Sequence, residues 1–478
     1  MARAFFQNVN LCRCYSGKAR LEISEFIPKR YVGPTMAETD KIKVDHFPPA
    51  VYNIYKKPLL FHQGNMQWLY DHEGRKFLDL FGGIVTVSVG HCHPKVVSAM
   101  TEQLQNLWHT TTIYRNPKIY EYVEKLATKF PGDLKIVYLV NSGTEANDLA
   151  VLLSRSYTGN HDVLSFQSSY HGYSSALMGL TASQMYRMPT PVPTGFQHVM
   201  LPDPYRGIWG GCRDSISQVP DSCNCPGDCV STDKYIHQLN ELLEVSIPKG
   251  RVAAFFAESI QGVNGTLQYP KGYLKKAKEL IHKNGGLFIA DEVQTGFGRT
   301  GDNFWGFQGH DIIPDIVTMA KGIGNGFPLA AVVTTKEIAA AHTKATYFNT
   351  FGGNPLASTA GRAVLEVIEE EKLQENSKIV GKYFIEQLMQ LQSVHPIMGD
   401  VRGKGLMLGI ELVVPETKDA LNVEKVSEIH DAIKDLGILI GRGGRWNNVL
   451  RIKPPMCIDK DNVDFTISVL DDVFNKCK

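Results

Sequence analysis

Five short apolar runs recur along the middle of the chain, and each is followed by a turn and a segment long enough for a helix. The runs end at residues 140, 166, 257, 290 and 320. A continuous apolar run of this length, bounded by turn residues, is typical of a strand buried on both faces. Because such strands alternate with helix-length segments, the pattern predicts an α/β domain with a mainly parallel sheet. Ligands bind at the carboxyl ends of the strands in open sheets of this kind, so we expect functional side chains there.

Two of the predicted strand ends carry ionisable side chains. Lys321 follows one apolar run and precedes a glycine-rich turn, and Asp291 ends another. Apolar surroundings disfavour the ammonium form of a lysine, so its amine becomes available as a nucleophile. Pyridoxal phosphate (PLP) requires such a pair, a lysine for the Schiff base and a carboxylate that keeps the pyridine nitrogen protonated. Each residue also has an ordinary explanation, as a lysine reaching solvent and as a buried carboxylate that caps a loop.

A turn that could hold a phosphate follows the run 135–140. Ser142, Gly143 and Thr144 form this turn, and a helical pattern continues after it. The first amides of a helix have no partner within the helix, and the helix dipole favours an anion there. Ser142 and Thr144 can add hydroxyl donors, while Gly143 allows close approach to the backbone. The alternative is a plain capping box, with Ser142 as N-cap and Glu145 three residues later.

Three further residues are candidates for ligand contacts. Tyr170 lies in the loop after the run 162–166, where its ring could stack on a flat ligand or pack in the core. Glu258 ends the apolar run that begins after Arg251. Arg451 lies on a predicted strand, where its guanidinium can bind a carboxylate through two hydrogen bonds. An internal salt bridge is the alternative for this arginine.

Four of the nine cysteines fall within a segment rich in proline and glycine, residues 202–234. They are Cys212, Cys223, Cys225 and Cys229. Four cysteines could hold zinc, but the usual C-x2-C pairs are absent, and a reducing compartment disfavours two disulfides. We therefore expect a surface insertion with free thiols and no metal site. The adjacent His91, Cys92 and His93 are expected to be loop structure, because no second cluster completes a tetrahedral site.

Composition and charge exclude some classes of partner. The formal net charge of +1 gives no reason to expect a nucleic acid. No apolar run approaches the length of about 18 residues that a membrane-spanning helix needs. The first 20 residues are different, since they contain three arginines and a lysine but no acidic residue. This bias is typical of a mitochondrial transit peptide, and a disordered basic tail is the alternative.

The pattern of elements also predicts a division into domains. Residues 1–35 are expected to be the transit peptide and a linker. Residues 96–355 would form a large domain that contains the insertion 202–234. Residues 40–95 and 356–478 would join in space as a smaller α+β lobe, because both segments mix short strands with helices.

The motifs together resemble the class III PLP-dependent aminotransferases, which have fold type I. The resemblance covers roughly residues 45–475, and its most specific part is Asp291-Glu-Val-Gln-Thr-Gly-Phe-Gly-Arg-Thr-Gly301 with Lys321-Gly322. Ser142–Asn147, Tyr170–Gly172 and Thr350–Pro355 follow the family's order. The resemblance implies a large domain with a mainly parallel seven-stranded sheet, PLP as cofactor, and amino acids and keto acids as substrates.

The resemblance also implies a role for each matching residue around the cofactor. Lys321 would bind PLP covalently and move the substrate proton, and Asp291 would pair with the pyridine nitrogen. The amides of Gly143 and Thr144 would hold the phosphate, with Ser142 beside them. Tyr170 would stack on the ring.

Further roles concern the substrate and a second subunit. Gln294 would approach the 3-oxygen of PLP, while Arg451 would bind the substrate carboxylate, with Glu258 in the same substrate-binding group. Thr350 would reach the phosphate of a neighbouring subunit. The resemblance therefore implies a homodimer or homotetramer with shared active sites. From the basic N-terminus we expect a location in the mitochondrial matrix.

One position departs from the family members that use ω-amines. Those members have a glutamate after Gln-Gly that can neutralise the substrate arginine, whereas this chain has Val263, and Ser259 replaces a common proline. The departure implies that Arg451 accepts α-carboxylates. The expected reaction is ping-pong transfer of the amino group from L-alanine, with β-amino acids as a further donor class, to glyoxylate or pyruvate.

Other activities stay open at this point. An aminotransferase for ω-amino acids, or a PLP-dependent decarboxylase or aminomutase, could use the same Lys321 and Asp291. A nucleotide-binding protein is a weaker alternative, because Lys321–Gly326 lacks the full G-x-G-x-x-G spacing.

Overall fold

The computed structural model describes residues 26–51, 53–219 and 223–477. The predicted transit peptide at residues 1–20 therefore lies outside the described residues. The helices are α1 (Met36–His46), α2 (Gly82–Val85), α3 (Pro94–Asn106), α4 (Pro117–Ala127), α5 (Gly143–Thr158), α6 (Val230–Glu241), α7 (Tyr273–Lys283), α8 (Lys336–Ala341), α9 (Pro355–Glu370), α10 (Leu373–Gln392), α11 (Val423–Asp435) and α12 (Lys460–Asn475). The strands are β1 (Phe61–Asn65), β2 (Trp68–Asp71), β3 (Lys76–Asp79), β4 (Ile136–Val140), β5 (Asp162–Phe166), β6 (Phe196–Val199), β7 (Val252–Glu258), β8 (Leu287–Asp291), β9 (Ile316–Met319), β10 (Ala330–Thr334), β11 (Met398–Lys404), β12 (Met407–Leu412), β13 (Ile438–Leu439), β14 (Gly441–Gly443) and β15 (Val449–Ile452).

A seven-stranded sheet forms the centre of the molecule, in the order β4-β10-β9-β8-β7-β5-β6. Strand β10 runs antiparallel to both of its neighbours, and the pairs from β9 to β6 are parallel. The predicted mainly parallel sheet is confirmed. The five predicted strand ends agree with β4, β5, β7, β8 and β9 to within one residue.

The two faces of this sheet pack against separate sets of helices. Every residue of β7 and β8 is buried, which explains why their sequences are apolar without alternation. Phe288 and Ala290 of β8 point into one apolar cluster, while Leu287 and Ile289 point into a second cluster that contains α5. Alternate residues of a strand face opposite sides, so both faces require apolar side chains.

The smaller lobe combines two four-stranded sheets, β1-β2-β3-β13 and β11-β12-β15-β14. Strands β2 and β3 form an antiparallel pair in the first of these sheets. Strand β3 also pairs in parallel with β13, where Leu78 lies opposite Ile438. Strands from the N-terminal and C-terminal parts of the chain are thus hydrogen-bonded to each other, as the α+β pattern suggested. The exact domain boundaries stay a prediction. In the part of the chain that is described, no helix has both the length and the apolar character needed to cross a membrane.

Candidate active site

Three neighbouring strands bring acidic and basic side chains to one edge of the central sheet. Glu258 ends β7 and lies directly opposite Asp291 at the end of β8. Asp291 in turn lies opposite Thr318 of β9. Lys321 follows Thr318 by three residues. Neighbouring strands are about 4.8 Å apart. The structure therefore brings the predicted lysine and carboxylate together at the carboxyl ends of adjacent strands.

The Asp291 carboxylate is buried and accepts three hydrogen bonds. Its Oδ2 accepts from Asn147 Nδ2 at 3.0 Å and from His171 Nδ1 at 2.8 Å, and its Oδ1 accepts from the amide of Val293 at 3.1 Å. Donors of this kind stabilise the charged carboxylate and fix its orientation. The side chain is thus held in a fixed orientation at the sheet edge.

The amine of Lys321 lies in the same buried region. Burial lowers the pKa of Lys321, and the nearby carboxylates of Glu258 and Asp291 oppose this shift only in part. Lys321 itself has a left-handed backbone, with φ 53°, at the start of a 3-10 turn. Among the described residues, its Nζ makes no hydrogen bond or ion pair. A lowered pKa and an unengaged amine are what a nucleophilic lysine needs.

Helix α5 begins beside these two residues. The Ser142 hydroxyl accepts a hydrogen bond from the Glu145 amide at 3.2 Å, so the helix cap considered from the sequence is present. A Cβ atom built on Gly143 would lie 3.4 Å from Val293 and 3.6 Å from the Cβ of Ala320. Gly143 is therefore packed between Val293, which lies two residues after Asp291, and Ala320, which precedes Lys321. The first amides of α5 thus lie at the same sheet edge.

The Thr144 hydroxyl is the second polar group at this helix terminus. It accepts a hydrogen bond from the Tyr173 amide at 3.2 Å, which ties α5 to the loop that carries Tyr170. Tyr170 is partly buried, and its ring meets the edge of the Tyr186 ring with centroids 4.7 Å apart. The following residue, His171, is the histidine bonded to Asp291. The loop of Tyr170 is therefore fixed at the same site, and its role in ring stacking stays a prediction.

A polar network connects Glu258 to the smaller lobe through Gly262. Glu258 Oε2 accepts from the Gly262 amide at 2.9 Å and lies 3.5 Å from Gln294 Nε2. Gln294 Oε1 accepts from Lys453 Nζ at 3.0 Å, and the Gly262 carbonyl accepts from Lys453 Nζ and from Arg451 Nη1. A Cβ on Gly262 would lie 2.3 Å from Gln294. Only glycine leaves room for Gln294 at this position.

Burial changes the protonation of two members of this network. It raises the pKa of Glu258 to about 7, with the Asp291 charge adding to the shift. Burial also lowers the pKa of Lys453 well below its ordinary value, and the Arg451 charge acts in the same direction. Both shifts therefore favour the neutral form of the side chain.

Arg451 lies on β15 and approaches the site from the smaller lobe. Its Nη1 donates to the Gly262 carbonyl at 3.2 Å, and its guanidinium lies 5.4 Å from the centre of the Phe81 ring. Only 6% of its surface is exposed. Val263, which has no charge, follows Gly262 directly. The structure thus places the predicted carboxylate-binding arginine at the same loop as Glu258 and Gln294.

Thr350 is placed differently from the other predicted residues. It is exposed, and no contact among the described residues joins it to Lys321 or Asp291. Its neighbour Asn349 accepts a hydrogen bond from Asn141 at 3.1 Å, just before Ser142. Thr350 therefore lies near the start of α5 but outside the site formed within one chain.

Sequence reasoning assigned no role to Asn147, His171 or Lys453. Asn147 lies four residues, or one helical turn, after Gly143. The helical period could therefore have indicated that both residues face the same edge of the sheet. Lys453 lies two residues after Arg451, on the same face of an extended segment. His171 gave no separate signal, because its contact with Asp291 depends on the path of the loop.

The comparison with protein families identifies the group to which these residues belong. The model of the aminotransferase class III family matches residues 52–474, which is most of the chain. The chain belongs to the class III aminotransferases. The reaction that this aminotransferase catalyses is therefore transamination.

Similar proteins support the family assignment. The chain is 52% identical to human mitochondrial alanine–glyoxylate aminotransferase 2 over 95% of this chain and 89% of the relative. A solved phospholyase from Arthrobacter, in complex with phosphoethanolamine, is 31% identical with a TM-score of 0.81, covering 91% of this chain and 99% of its own. An amine transaminase from an uncultivated Pseudomonas species, solved with PLP bound, is 29% identical with a TM-score of 0.80, covering 88% and 96% of the two chains.

Proposed function

We propose that this aminotransferase uses PLP to transfer the amino group of L-alanine to glyoxylate, with pyruvate as the acceptor for other amino donors. The observation that carries the proposal is the placement of Lys321 and Asp291 on adjacent strand ends, with Arg451 reaching the same edge through Gly262. The human relative named for alanine and glyoxylate, and the transaminase solved with PLP, support it.

The polar groups at the site fit PLP. The buried Glu258 Oε1 has no hydrogen-bond partner among the described residues. The α5 amides of Gly143 and Thr144 suit a phosphate, because the helix dipole favours an anion. Asp291 would hold a protonated ring nitrogen, as its fixed carboxylate can accept a further hydrogen bond.

Two other residues would complete the cofactor site. Tyr170 would stack on the ring, and Gln294 would donate to the 3-oxygen of PLP. When bound, PLP supplies an electrophilic carbon for amino groups and a ring that accepts negative charge from the substrate's α-carbon. The remaining chemistry depends on the side chains of this chain.

Lys321 would take the α-proton of the amino donor at its Nζ and deliver it to the cofactor carbon that carries the amino group, and the second half-reaction would run the same transfer in reverse. Its lowered pKa favours the neutral amine that can act as a base. Asn147 and His171 would keep Asp291 in place while charge develops on the ring. Arg451 would orient the substrate by binding its carboxylate through two hydrogen bonds.

The residue after Gly262 supports α-carboxylates as substrates. Val263 offers no negative charge to Arg451, whereas a glutamate at this position would compete with the substrate. We infer that L-alanine is a donor and that β-amino acids form a second donor class. An enzyme selective for ω-amino acids is the less favoured alternative.

A second copy of the chain is the proposed partner. Five large apolar side chains are more than half exposed on two neighbouring segments. They are Trp108, Ile113, Tyr114, Phe348 and Phe351. The rings of His109 and Phe351 are 5.4 Å apart, so the two segments form one surface. Exposed apolar patches of this kind mark interfaces, and covering this one would bring Thr350 close to a neighbouring subunit.

The remaining proposals concern location and domain organisation. The human relative is named mitochondrial, which supports a mitochondrial location, and we infer the matrix. Residues 1–35 would then be the transit peptide and linker. Residues 96–355 would form the PLP-binding domain, and residues 40–95 with 356–478 the smaller lobe.

An amino-donor screen tests the substrate proposal. Purified enzyme with added PLP would be offered L-alanine, β-amino acids and ω-amines, each with glyoxylate and with pyruvate. We expect L-alanine with glyoxylate to give glycine and pyruvate. Turnover of ω-amines without turnover of L-alanine would reject the proposed donor and leave the transaminase assignment intact.

A further inference from the structure

Four cysteine sulfurs lie close together in the insertion at residues 202–234. The Sγ atoms of Cys212, Cys223, Cys225 and Cys229 all lie within 4.8 Å of one another. Cys223 Sγ and Cys229 Sγ are 3.2 Å apart. Cys212 and Cys229 are buried, and the other two are partly buried. In the described residues, this is the one group of three or more side chains close enough to share a metal ion.

We propose that these four cysteines bind one Zn²⁺ ion as a tetrahedral structural site. Zinc–sulfur bonds of about 2.3 Å place tetrahedral sulfurs about 3.8 Å apart. This distance exceeds the 3.2 Å between Cys223 and Cys229 and is below the 4.8 Å within which all four sulfurs lie. Four thiolates fill the coordination of zinc and leave no position for a substrate, so the site is structural.

This proposal departs from the expectation drawn from the sequence, which was free thiols and no metal. That expectation relied on the absence of C-x2-C pairs. The fold supplies what the spacing did not indicate, because Cys212 is brought to the other three from eleven residues upstream. Cys225 and Cys229 are also separated by three residues, which lies within the usual range for zinc ligands.

A backbone amide donates a hydrogen bond to one of the four sulfurs. Cys229 Sγ accepts a hydrogen bond from the Cys212 amide at 3.2 Å, and Cys229 is the residue that precedes the first turn of α6. Amide donors to sulfur orient ligands and stabilise the thiolate form that metals require.

A disulfide explains the cluster less well. A disulfide requires sulfurs about 2.0 Å apart, and the described cysteines are free thiols. A disulfide between two of the sulfurs would also not explain why the other two sulfurs lie within 4.8 Å of them. The mutual proximity of the four sulfurs therefore favours a single shared cation.

The site would fasten the insertion between the two parts of the molecule. The Cys229 amide donates to the Lys271 carbonyl and the Lys271 amide donates to the Cys212 carbonyl, both at 3.0 Å. Arg213, next to Cys212, is buried and binds both oxygens of Asp400 on β11, at 2.6 and 3.0 Å. Zinc at the cluster would thus hold the edge of the central domain against the smaller lobe.

The test begins with the metal content of the full-length holoenzyme. Enzyme from zinc-supplemented cells, dialysed against a weak chelator, should retain about one zinc per chain, as a closed four-cysteine site does. Cys225→Ser and Cys212→Ser should lose this zinc, while Cys477→Ser, a partly buried cysteine elsewhere, should keep it. A wild-type enzyme without stoichiometric zinc, or equal zinc in Cys225→Ser, would overturn the proposal.

Two further readouts do not depend on activity, and the first of them needs no variant. Replacing zinc by Co²⁺ in the wild-type holoenzyme should give the strong red-region absorption of tetrahedral cobalt thiolates, where PLP does not absorb. A strong chelator should lower the melting temperature of the wild type and of Cys477→Ser but not that of Cys225→Ser. Intact-mass analysis that finds a disulfide among the four cysteines would contradict the proposal.

Discussion

Replacing Glu258 with glutamine should remove a pH-dependent destabilisation of the folded protein. Glu258 is buried at the end of β7, and one of its oxygens, Oε1, has no hydrogen-bond partner among the described residues. Burial and the Asp291 charge raise its pKa from 4.5 to about 7. A neutral amide occupies the same space without the cost of burying a charge.

The size and sign of the effect follow from this shift. A carboxyl group with a raised pKa in the folded state adds stability at low pH, and that contribution is lost as the pH rises through about 7. The shift from 4.5 to about 7 corresponds to about 3 kcal/mol. The wild type should therefore lose up to about 3 kcal/mol between pH 5 and pH 8 through Glu258, and Glu258→Gln should not.

The assay is the pH dependence of the melting temperature of both holoenzymes. Glu258→Gln should be the more stable protein at pH 8, and its advantage should disappear near pH 5. Glu292→Gln is the matched control, because the buried Glu292 accepts hydrogen bonds from Ser259, Thr295, Gly306 and Phe307. An amide nitrogen facing these donors should cost about 1–3 kcal/mol at pH 5. Burial raises the pKa of Glu292 as well, so this cost should shrink as the pH rises. If Glu258→Gln destabilised the enzyme as much as Glu292→Gln at pH 5, the reasoning would be refuted.

Three other substitutions test separate parts of the site. Asp291→Asn should lower kcat by about 10- to 100-fold or more, since a charge-assisted hydrogen bond contributes about 1.5–3 kcal/mol; steady-state kinetics with saturating PLP would show this, and an unchanged kcat would contradict the assigned role. Val263→Glu should lower kcat/KM for L-alanine by about 5-fold, because the new carboxylate would compete for Arg451 at a cost of about 1 kcal/mol; unchanged alanine kinetics would remove the argument from this position. Phe351→Glu should convert oligomers to monomers with low activity, measured by light scattering, and an oligomer that persists would place the subunit interface elsewhere.

Much of the fold could be predicted because the central strands are buried on both faces. Strands β4, β5, β7, β8 and β9 appear in the sequence as short apolar runs closed by turn residues, and their ends are correct to within one residue. The rule that ligands bind at the carboxyl ends of the strands then placed Asp291 and Lys321 at one sheet edge. The adjacency of their two strands could not be predicted without the strand order, and the family resemblance supplied only the number of strands.

Other features depend on contacts between distant segments. His171 reaches Asp291 across 120 residues, and Lys453 reaches Gln294 across 159. Neither contact leaves a periodic signal in the sequence. The cysteine cluster is similar, since a count of local spacings misses a ligand that the fold delivers from outside the motif. Thr350 cannot be assigned from one chain, because its predicted partner belongs to another subunit.

The central claim is that Lys321 and Asp291 act on one amino group at the edge of the sheet. The most direct measurement is a single half-reaction of the holoenzyme with L-alanine in the absence of any keto acid. The account predicts about one pyruvate per active subunit from the wild type, no carbon dioxide, and no pyruvate from Lys321→Ala. Carbon dioxide in place of pyruvate, or equal pyruvate from Lys321→Ala, would contradict it.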